Sequence, residues 1–199
     1  MASVVSICNL ALSNIGKDNI NALTDAGAEA RACSQFYDHT RDTLLQGYPW
    51  RFAGKTQALA QITNDKPGQW GFAYSRPVDC LKVRWVRPKY SADDRALTQQ
   101  EEISFQHEVD GQVIYCNLSP ALLRYTSRAA DPTRFTPLFV DALAWHLAVR
   151  LAMPLTRDPK VRADAWQVAT QMTGQAQMAD ANEARETSDH ETEFVGGRG

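Results

Sequence analysis

The chain has 199 residues, 44% of them hydrophobic, and a formal net charge of −2. This length suits one domain, or a domain with an insertion, and the hydrophobic share is sufficient for a packed core. A net charge so close to zero excludes a global electrostatic attraction to nucleic acid or to an anionic membrane.

The first segment with helical periodicity spans residues 4–15, where Val4, Cys8, Ala11 and Ile15 recur at helical spacing. Ser3 is the predicted N-cap, and Gly16 is the predicted left-handed residue after the helix end. A second helix is predicted from the residue after Asp25 to Gln46. Asp38 and Arg41 are three residues apart on this helix and can form an ion pair.

An aromatic-rich helix stop comes directly after it. Gly47 is predicted to close the second helix in the left-handed conformation, and Pro49 cannot continue it. The large aromatic side chains around this stop require a buried environment. We predict a structural seam here between the helical part and the next part of the chain, formed by Tyr37, Tyr48, Pro49, Trp50 and Phe52.

The region 50–130 is predicted to be an antiparallel β module with long loops at 62–76 and 88–101. Residues 80–86 alternate, which indicates a strand with Leu81, Val83 and Trp85 on its buried face. Further strands are predicted at 103–105, 113–115 and 122–126. Asp110-Gly111 between two of them indicates a hairpin with a type I′ turn.

Helical patterning returns at Thr136-Pro137, an N-cap followed by proline at the first helical position. A mostly apolar helix is predicted for 137–153, ended by Pro154. Asp158-Pro159 is a second N-cap followed by proline, and it starts a last helix that is predicted to reach Arg185. Leu138–Leu155 is the longest apolar stretch, but its interior charged and polar residues favour a buried helix over a membrane anchor.

The predicted fold is therefore of the α+β class, a helical bundle built from both chain ends with an inserted antiparallel β module. The bundle comprises residues 1–49 and 131–186, and the insertion comprises 50–130. Residues 180–199 carry six acidic residues and two arginines. We expect 187–199 to be a flexible acidic tail.

The tail also supplies a candidate partner contact. Phe194 is an aromatic residue in an acidic segment that contains Glu191 and Glu193. Such a segment can become ordered on a partner surface, although an ordinary frayed terminus has the same composition.

The cysteines favour free thiols in a reducing compartment, because they are far apart and form no C-x-x-C pair. They are Cys8, Cys33, Cys80 and Cys116. The N-terminus has no basic segment before its first apolar run, so no secretory signal is predicted.

No catalytic, cofactor or metal site is predicted. Gly54-Lys55-Thr56 resembles the end of a phosphate-binding loop, but Pro49 stands where the first glycine would be, which favours a surface turn. No histidine has a second histidine or cysteine three or four residues away, as closely spaced zinc ligands would. His146 is interpreted as a core histidine beside Asp141 or Arg150.

Two other site types stay open. A basic patch could contact a phosphate backbone, or it could be a solvated strand face. Its residues are Arg76, Lys82, Arg84, Arg87 and Lys89. Loop carboxylates could serve as the paired acids of a glycoside hydrolase. These are Asp93, Asp94, Glu101 and Glu102.

Four segments resemble the tail tubular protein A family, the head-to-tail adaptors of short-tailed phages. They cover roughly residues 3–81, and they are packing signatures that carry no chemistry. They are Ser6-Ile7-Cys8-Asn9-Leu10-Ala11-Leu12 with Ile15-Gly16; Tyr37-Asp38 with Arg41-Asp42 and Leu44-Leu45; Tyr48-Pro49-Trp50-Arg51-Phe52-Ala53; and Tyr74-Ser75-Arg76-Pro77-Val78-Asp79-Cys80-Leu81.

The resemblance implies a virion structural protein with no enzymatic activity and no cofactor. It implies a homo-oligomeric ring, commonly twelvefold, that joins the portal protein to the tail tube or nozzle. Genomic DNA would pass through the lumen without sequence-specific binding. The ring would be assembled in the host cytoplasm and located at the head–tail junction. Some family members have been proposed to degrade polysaccharide, so a glycoside hydrolase is the alternative.

Overall fold

The computed structural model describes residues 2–88, 105–129 and 131–183. These residues form an α+β fold, as the sequence predicts. The helices are α1 (Val4–Ser13), α2 (Ala28–Gly47), α3 (Pro137–Thr156) and α4 (Pro159–Asn182). The strands are β1 (Gly54–Ala58), β2 (Ala60–Ile62), β3 (Phe72–Ser75), β4 (Cys80–Pro88), β5 (His107–Asp110), β6 (Val113–Cys116) and β7 (Ala121–Ser127).

The chain divides into two compact units. The first contains the residues up to Tyr37 and those from Phe135 on, and the second is Asp38–Arg134. The first boundary lies inside α2, whereas the sequence pattern predicts it at residue 50. The second half of α2 belongs with the strands because side chains of the second unit bind its C-terminal turn.

The first unit is built around α3. Helix α1 packs on α3, and α3 packs on α4. Nine side chains of α3 are buried, among them Phe139, Leu143 and Leu147. Helix α4 contributes small residues to the packed face, such as Ala165 and Ala169. Small side chains allow two helix backbones to approach closely, so this pair can bury the apolar surface of α3.

The helix starts agree with the local chemistry that the sequence shows. The Ser3 hydroxyl oxygen accepts a hydrogen bond from the backbone N–H of Ser6, and the Ser6 hydroxyl oxygen accepts one from the backbone N–H of Ser3, which makes a capping box. Thr136 caps α3 and Asp158 caps α4, each followed by proline at the first helical position. Gly16 takes the predicted left-handed conformation, with φ of 67°.

Two predicted helix ends are wrong. Pro154 does not end α3, which continues to Thr156 and is closed by Arg157 in the left-handed conformation, with φ of 56°. Gly47 is the last residue of α2 and has no positive φ.

Helix α3 also has the length and apolar composition of a membrane span. Its most apolar window has a mean hydropathy of 1.4, and 44% of that window is buried inside the protein. The core helix of a soluble protein meets the same two criteria.

The described residues of the second unit form two antiparallel sheets, where the sequence predicts one. The strand order is β1-β7-β4 in the first sheet and β2-β3-β6-β5 in the second. Both sheets contribute to one apolar cluster, which includes Tyr74, Val86, Ile114, Leu123 and Tyr125. Strand β3 lies inside the segment 62–76, for which the sequence predicts a loop.

The predicted buried face of β4 is wrong. Its pairing with β7 shifts between Cys80 and Lys82 and again between Val83 and Trp85. Each shift adds an unpaired residue and reverses which side of the strand faces inward. The two shifts together restore the original side, so Cys80 and Val86 are both buried, while Leu81, Val83 and Trp85 are half-buried.

The hairpin between β5 and β6 is present, but its turn differs from the prediction. Asp110 pairs with Val113, so the loop residues are Gly111 and Gln112. Of these two, only Gly111 has positive φ, at 57°. A type I′ turn needs positive φ at both loop residues, so the predicted type is wrong. Strand β5 begins at His107, and Phe105 lies outside any strand.

Candidate functional site

The seam residues differ in burial: Tyr37 and Trp50 are buried, Tyr48 and Phe52 are half-buried, and Pro49 is exposed. Trp50 is 1% exposed, and its indole N–H donates to the carbonyl of Leu44 over 3.0 Å. Its ring packs edge-on against the Tyr48 ring, with the two centroids 4.9 Å apart. The centroid of the Phe52 ring lies 6.0 Å from that of Trp50. The backbone N–H of Trp50 donates to the carbonyl of Tyr48, which closes a tight turn around Pro49.

Two side chains therefore bind the C-terminal carbonyls of α2. Besides Trp50 at Leu44, the Arg84 guanidinium donates to the carbonyl of Gln46 over 3.4 Å. The last four carbonyls of a helix lack partners within it, and a left-handed glycine is one way to satisfy them. Here side chains do so, which explains why Gly47 stays helical. Tyr37, the remaining seam residue, is buried in the first unit.

The predicted basic patch is only partly a charged surface. Arg76 donates to the carbonyls of Gly111, Cys80 and Leu81, so its charge is used within the fold. Arg84 donates to the hydroxyl of Thr126, and burial lowers the pKa of its guanidinium.

The other members of the patch differ in their surroundings. Lys82 is exposed. The Arg87 guanidinium lies over the Trp85 ring, 4.1 Å from its centroid. Lys89 lies outside the described residues. Arg76 and Arg84 thus have internal roles that the strand alternation did not indicate.

The segment Gly54-Lys55-Thr56 is the start of edge strand β1, and the predicted surface turn is wrong. These residues pair antiparallel with Thr126, Tyr125 and Arg124 of β7. Lys55 forms an ion pair with Asp79 over 2.6 Å. A side chain at Gly54 would overlap the Arg124 guanidinium, which would have to shift to make room for it.

The candidate hydrolase acids and the tail contact lie outside the described residues. These are Asp93, Asp94, Glu101 and Glu102, together with Glu191, Glu193 and Phe194. Within the described ranges, no group of three or more His, Cys, Asp or Glu side chains could hold a metal ion.

A polar cluster that no sequence pattern indicated lies on the second sheet. The Lys66 ammonium contacts Glu108 at 2.7 Å and Asp110 at 2.9 Å. Trp70 donates to the other oxygen of Glu108. The Tyr115 hydroxyl donates to Asp65 over 2.6 Å, which lowers the pKa of the Asp65 carboxyl.

These contacts hold the segment between β2 and β3 against strands β5 and β6. The carboxylates of Asp65, Glu108 and Asp110 each accept a hydrogen bond within the cluster. The cluster joins residues more than forty positions apart, so no local pattern could have predicted it.

An open groove with a volume of about 820 Å³ lies in the first unit. It lies between the C-terminal half of α3 and the N-terminal half of α4, with Phe36 of α2 also in its lining. We call it the α3/α4 groove. Its other lining residues are His146, Val149, Arg150, Met153, Pro159, Arg162, Ala163 and Trp166.

Helical spacing places these side chains together. His146, Val149, Arg150 and Met153 succeed each other at steps of three, one and three along α3, which keeps them on one face. On α4, Arg162 and Trp166 are four residues apart. The tight connection from Arg157 to Asp158 brings these two faces next to each other.

The groove presents apolar surface and positive charge together. Trp166 is 58% exposed and Met153 is 39% exposed. Arg150 and Arg162 line the groove, and no carboxylate within the described ranges forms an ion pair with either. An exposed tryptophan beside unpaired guanidinium groups is typical of surfaces that bind another protein segment.

His146 is a satisfied histidine close to Arg150, as predicted, and its hydrogen-bond partner is Thr173. Its Nε2 lies 2.8 Å from the hydroxyl oxygen of Thr173. That hydroxyl donates its hydrogen to the carbonyl of Ala169, so Nε2 carries the hydrogen of the His146 bond. Burial lowers the pKa of His146, and the nearby Arg150 charge lowers it further.

The sequence contained a signal for this groove. Trp166 lies at the edge of the buried stripe of α4, one residue after Ala165 and three before Ala169. A large aromatic residue at the edge of a stripe of small residues indicates a contact surface.

A scan against protein-family models gave no match to this chain, and a search of curated protein sequences gave none either.

Proposed function

We propose that this chain is a structural protein of a phage virion, a head-to-tail adaptor that acts by binding protein partners. The observation that carries the proposal is the α3/α4 groove, where Trp166, Met153 and two arginines form an open, mixed apolar and basic surface. Surfaces of this composition bind protein segments, which is what an adaptor must do repeatedly.

The resemblance of residues 3–81 to the tail tubular protein A family gives the proposal its specific form. Within the motif from Tyr48 to Ala53, Trp50 and Ala53 are buried and the Trp50 indole donates to the carbonyl of Leu44, which supports its interpretation as a packing signature. In this proposal copies of the chain form a ring, commonly twelvefold, that joins the portal to the tail tube or nozzle. The ring is assembled in the host cytoplasm, and genomic DNA passes through it without sequence-specific contacts.

Electron microscopy of the purified chain mixed with the portal protein of the same phage tests the proposal. We expect a ring of this chain on the narrow end of the portal. A chain that stays monomeric and does not bind the portal contradicts it.

Two variants on the same helix test the groove's part in this function. Trp166→Glu places a charge in the α3/α4 groove, and we expect it to reduce ring formation or portal binding at least ~10-fold, as loss of an interface hot spot does. Met178→Glu is the matched control, because Met178 is 63% exposed on α4 and outside the groove. Equal binding by both variants would exclude the groove as the contact.

A further inference from the structure

The α3/α4 groove has the chemistry to bind an acidic segment with an aromatic anchor. Its apolar lining includes Val149, Met153 and Trp166, and its cations are Arg150 and Arg162. An occupant that matches both features carries a large apolar side chain within a few residues of two carboxylates.

The chain itself contains such a segment. Residues 186–195 read Glu-Thr-Ser-Asp-His-Glu-Thr-Glu-Phe-Val, with four acidic residues and no lysine or arginine. Glu191 and Glu193 alternate along the chain, and Phe194 comes immediately after them. Two carboxylates beside one phenylalanine are complementary to two guanidinium groups beside an apolar pocket.

The segment is long enough to reach the groove from its own helix. Helix α4 ends at Asn182, sixteen residues after Trp166, which corresponds to roughly 24 Å of helix. The chain from Glu183 to Phe194 spans up to roughly 36 Å when extended. The difference leaves several residues for the reversal of direction at the end of α4.

We propose that the acidic segment 186–195 occupies the α3/α4 groove of its own chain, with Phe194 against Trp166 and Met153, and Glu191 and Glu193 on Arg150 and Arg162. Tethering favours this arrangement over binding by a second copy, because a short linker holds the segment at a local concentration of about a millimolar or more. The segment thereby covers the apolar groove before any partner binds. This inference does not require the adaptor role.

Peroxide oxidation of the full-length chain tests the proposal with two internal probes. Hydrogen peroxide transfers one oxygen atom to a methionine thioether and leaves as water, at a rate that depends on access to the sulfur. Met153 lines the groove, whereas Met178 is exposed outside it. Peptide mass spectrometry gives both rates in the same sample.

We expect Phe194→Ala to raise the oxidation rate of Met153 at least ~3-fold, which corresponds to a groove that is covered about two thirds of the time in the unaltered chain. The rate at Met178 stays the same. The double variant Glu191→Gln, Glu193→Gln gives a smaller increase that disappears at high salt, where screening already weakens the ion pairs. Thr192→Ala is the matched control for the double variant, and it leaves both rates unchanged.

Three results would overturn the proposal. Met153 could be oxidised equally fast in the unaltered chain and in Phe194→Ala, which would mean that the segment does not cover the groove. Its protection could vanish on dilution, which would assign the groove to a second copy of the chain. A rise at Met178 equal to that at Met153 would show general loosening of the helices. None of these variants alters a residue of the groove itself.

Discussion

At the scale of single residues, the Trp50 side chain both packs against its neighbours and forms a hydrogen bond at the end of α2. Its ring fills the space beside Tyr48 and Phe52, and its N–H satisfies the carbonyl of Leu44. The sequence indicated that this ring is buried, because a large aromatic comes after an abrupt helix stop. It did not indicate the hydrogen bond, which depends on how the chain turns at Pro49.

We expect Trp50→Ala to lower the free energy of unfolding by ~3–5 kcal/mol, because it removes a fully buried aromatic and leaves a cavity. Trp50→Phe keeps most of the packing but leaves the Leu44 carbonyl without its donor, at a cost of ~1–3 kcal/mol. Urea unfolding followed by circular dichroism measures both. Equal losses in the two variants would contradict the assignment of separate packing and hydrogen-bond contributions.

His146 makes the stability of the first unit depend on pH. Its folded-state pKa is lowered, by burial first and by the Arg150 charge second. The unfolded chain therefore binds a proton more readily than the folded chain. The stabilisation is present above the unfolded pKa and is lost as the pH falls through the folded value.

Between about pH 7.5 and about pH 5.5 we expect the unaltered chain to lose more unfolding free energy than His146→Gln, since histidine titrates in this window. Arg150→Gln removes the smaller of the two causes that lower the His146 pKa. We therefore expect this variant to lose an amount of unfolding free energy between the losses of the unaltered chain and His146→Gln. Denaturant midpoints at a series of pH values measure the slopes. Parallel slopes for the unaltered chain and His146→Gln would exclude this histidine as the source.

At the scale of elements, an ion-pair network fixes the second half of α2 within its unit. Arg41, whose side chain is 7% exposed, contacts Asp38 and Asp42 at 2.8 Å each. The other oxygen of Asp42 lies 2.9 Å from Arg128, which comes directly after β7. The predicted pair of Asp38 and Arg41 is confirmed, whereas no sequence pattern indicated that Arg128 belongs to the same network.

We expect Asp42→Asn to cost ~1–3 kcal/mol of unfolding free energy, because it weakens charge-assisted bonds to two guanidinium groups, one of them buried. Asp38→Asn is the matched control on the same helix. The Asp38 side chain is 77% exposed, so its removal should cost less than ~1 kcal/mol. Thermal unfolding of the two variants compares them directly, and a larger loss for Asp38→Asn would contradict the network described.

Elements differ in how well their sequence predicted them. The starts of α1, α3 and α4 depend on capping residues next to the helix, so local chemistry determined them. Strand β4 was predictable from its alternation, but its two bulges depend on pairing with β7 and interrupt the expected alternation. Strands β1 and β2 are short and mostly exposed, so they lack the alternation that reveals a half-buried strand.

At the scale of the whole molecule, the α+β class was predictable because helical and alternating patterns occupy separate parts of the sequence. The position of the first unit boundary could not be predicted from the sequence, because it depends on contacts between distant residues. Trp50, Arg84 and Arg128 make these contacts and attach the end of α2 to the strands. The α3/α4 groove escaped prediction for a related reason. It requires two helix faces to be adjacent, and the apolar periodicity of α4 reveals only its buried stripe.

The buried cysteines allow the opening of each unit to be measured separately by thiol labelling. All four thiols are free and buried, Cys8 and Cys33 in the first unit and Cys80 and Cys116 in the second. A maleimide reagent can modify a buried thiol only while the surrounding structure is open, so its rate of incorporation reports the frequency of opening. Mapping the label by peptide mass spectrometry then times the opening of the helical unit and of the two-sheet unit separately, in one unaltered sample.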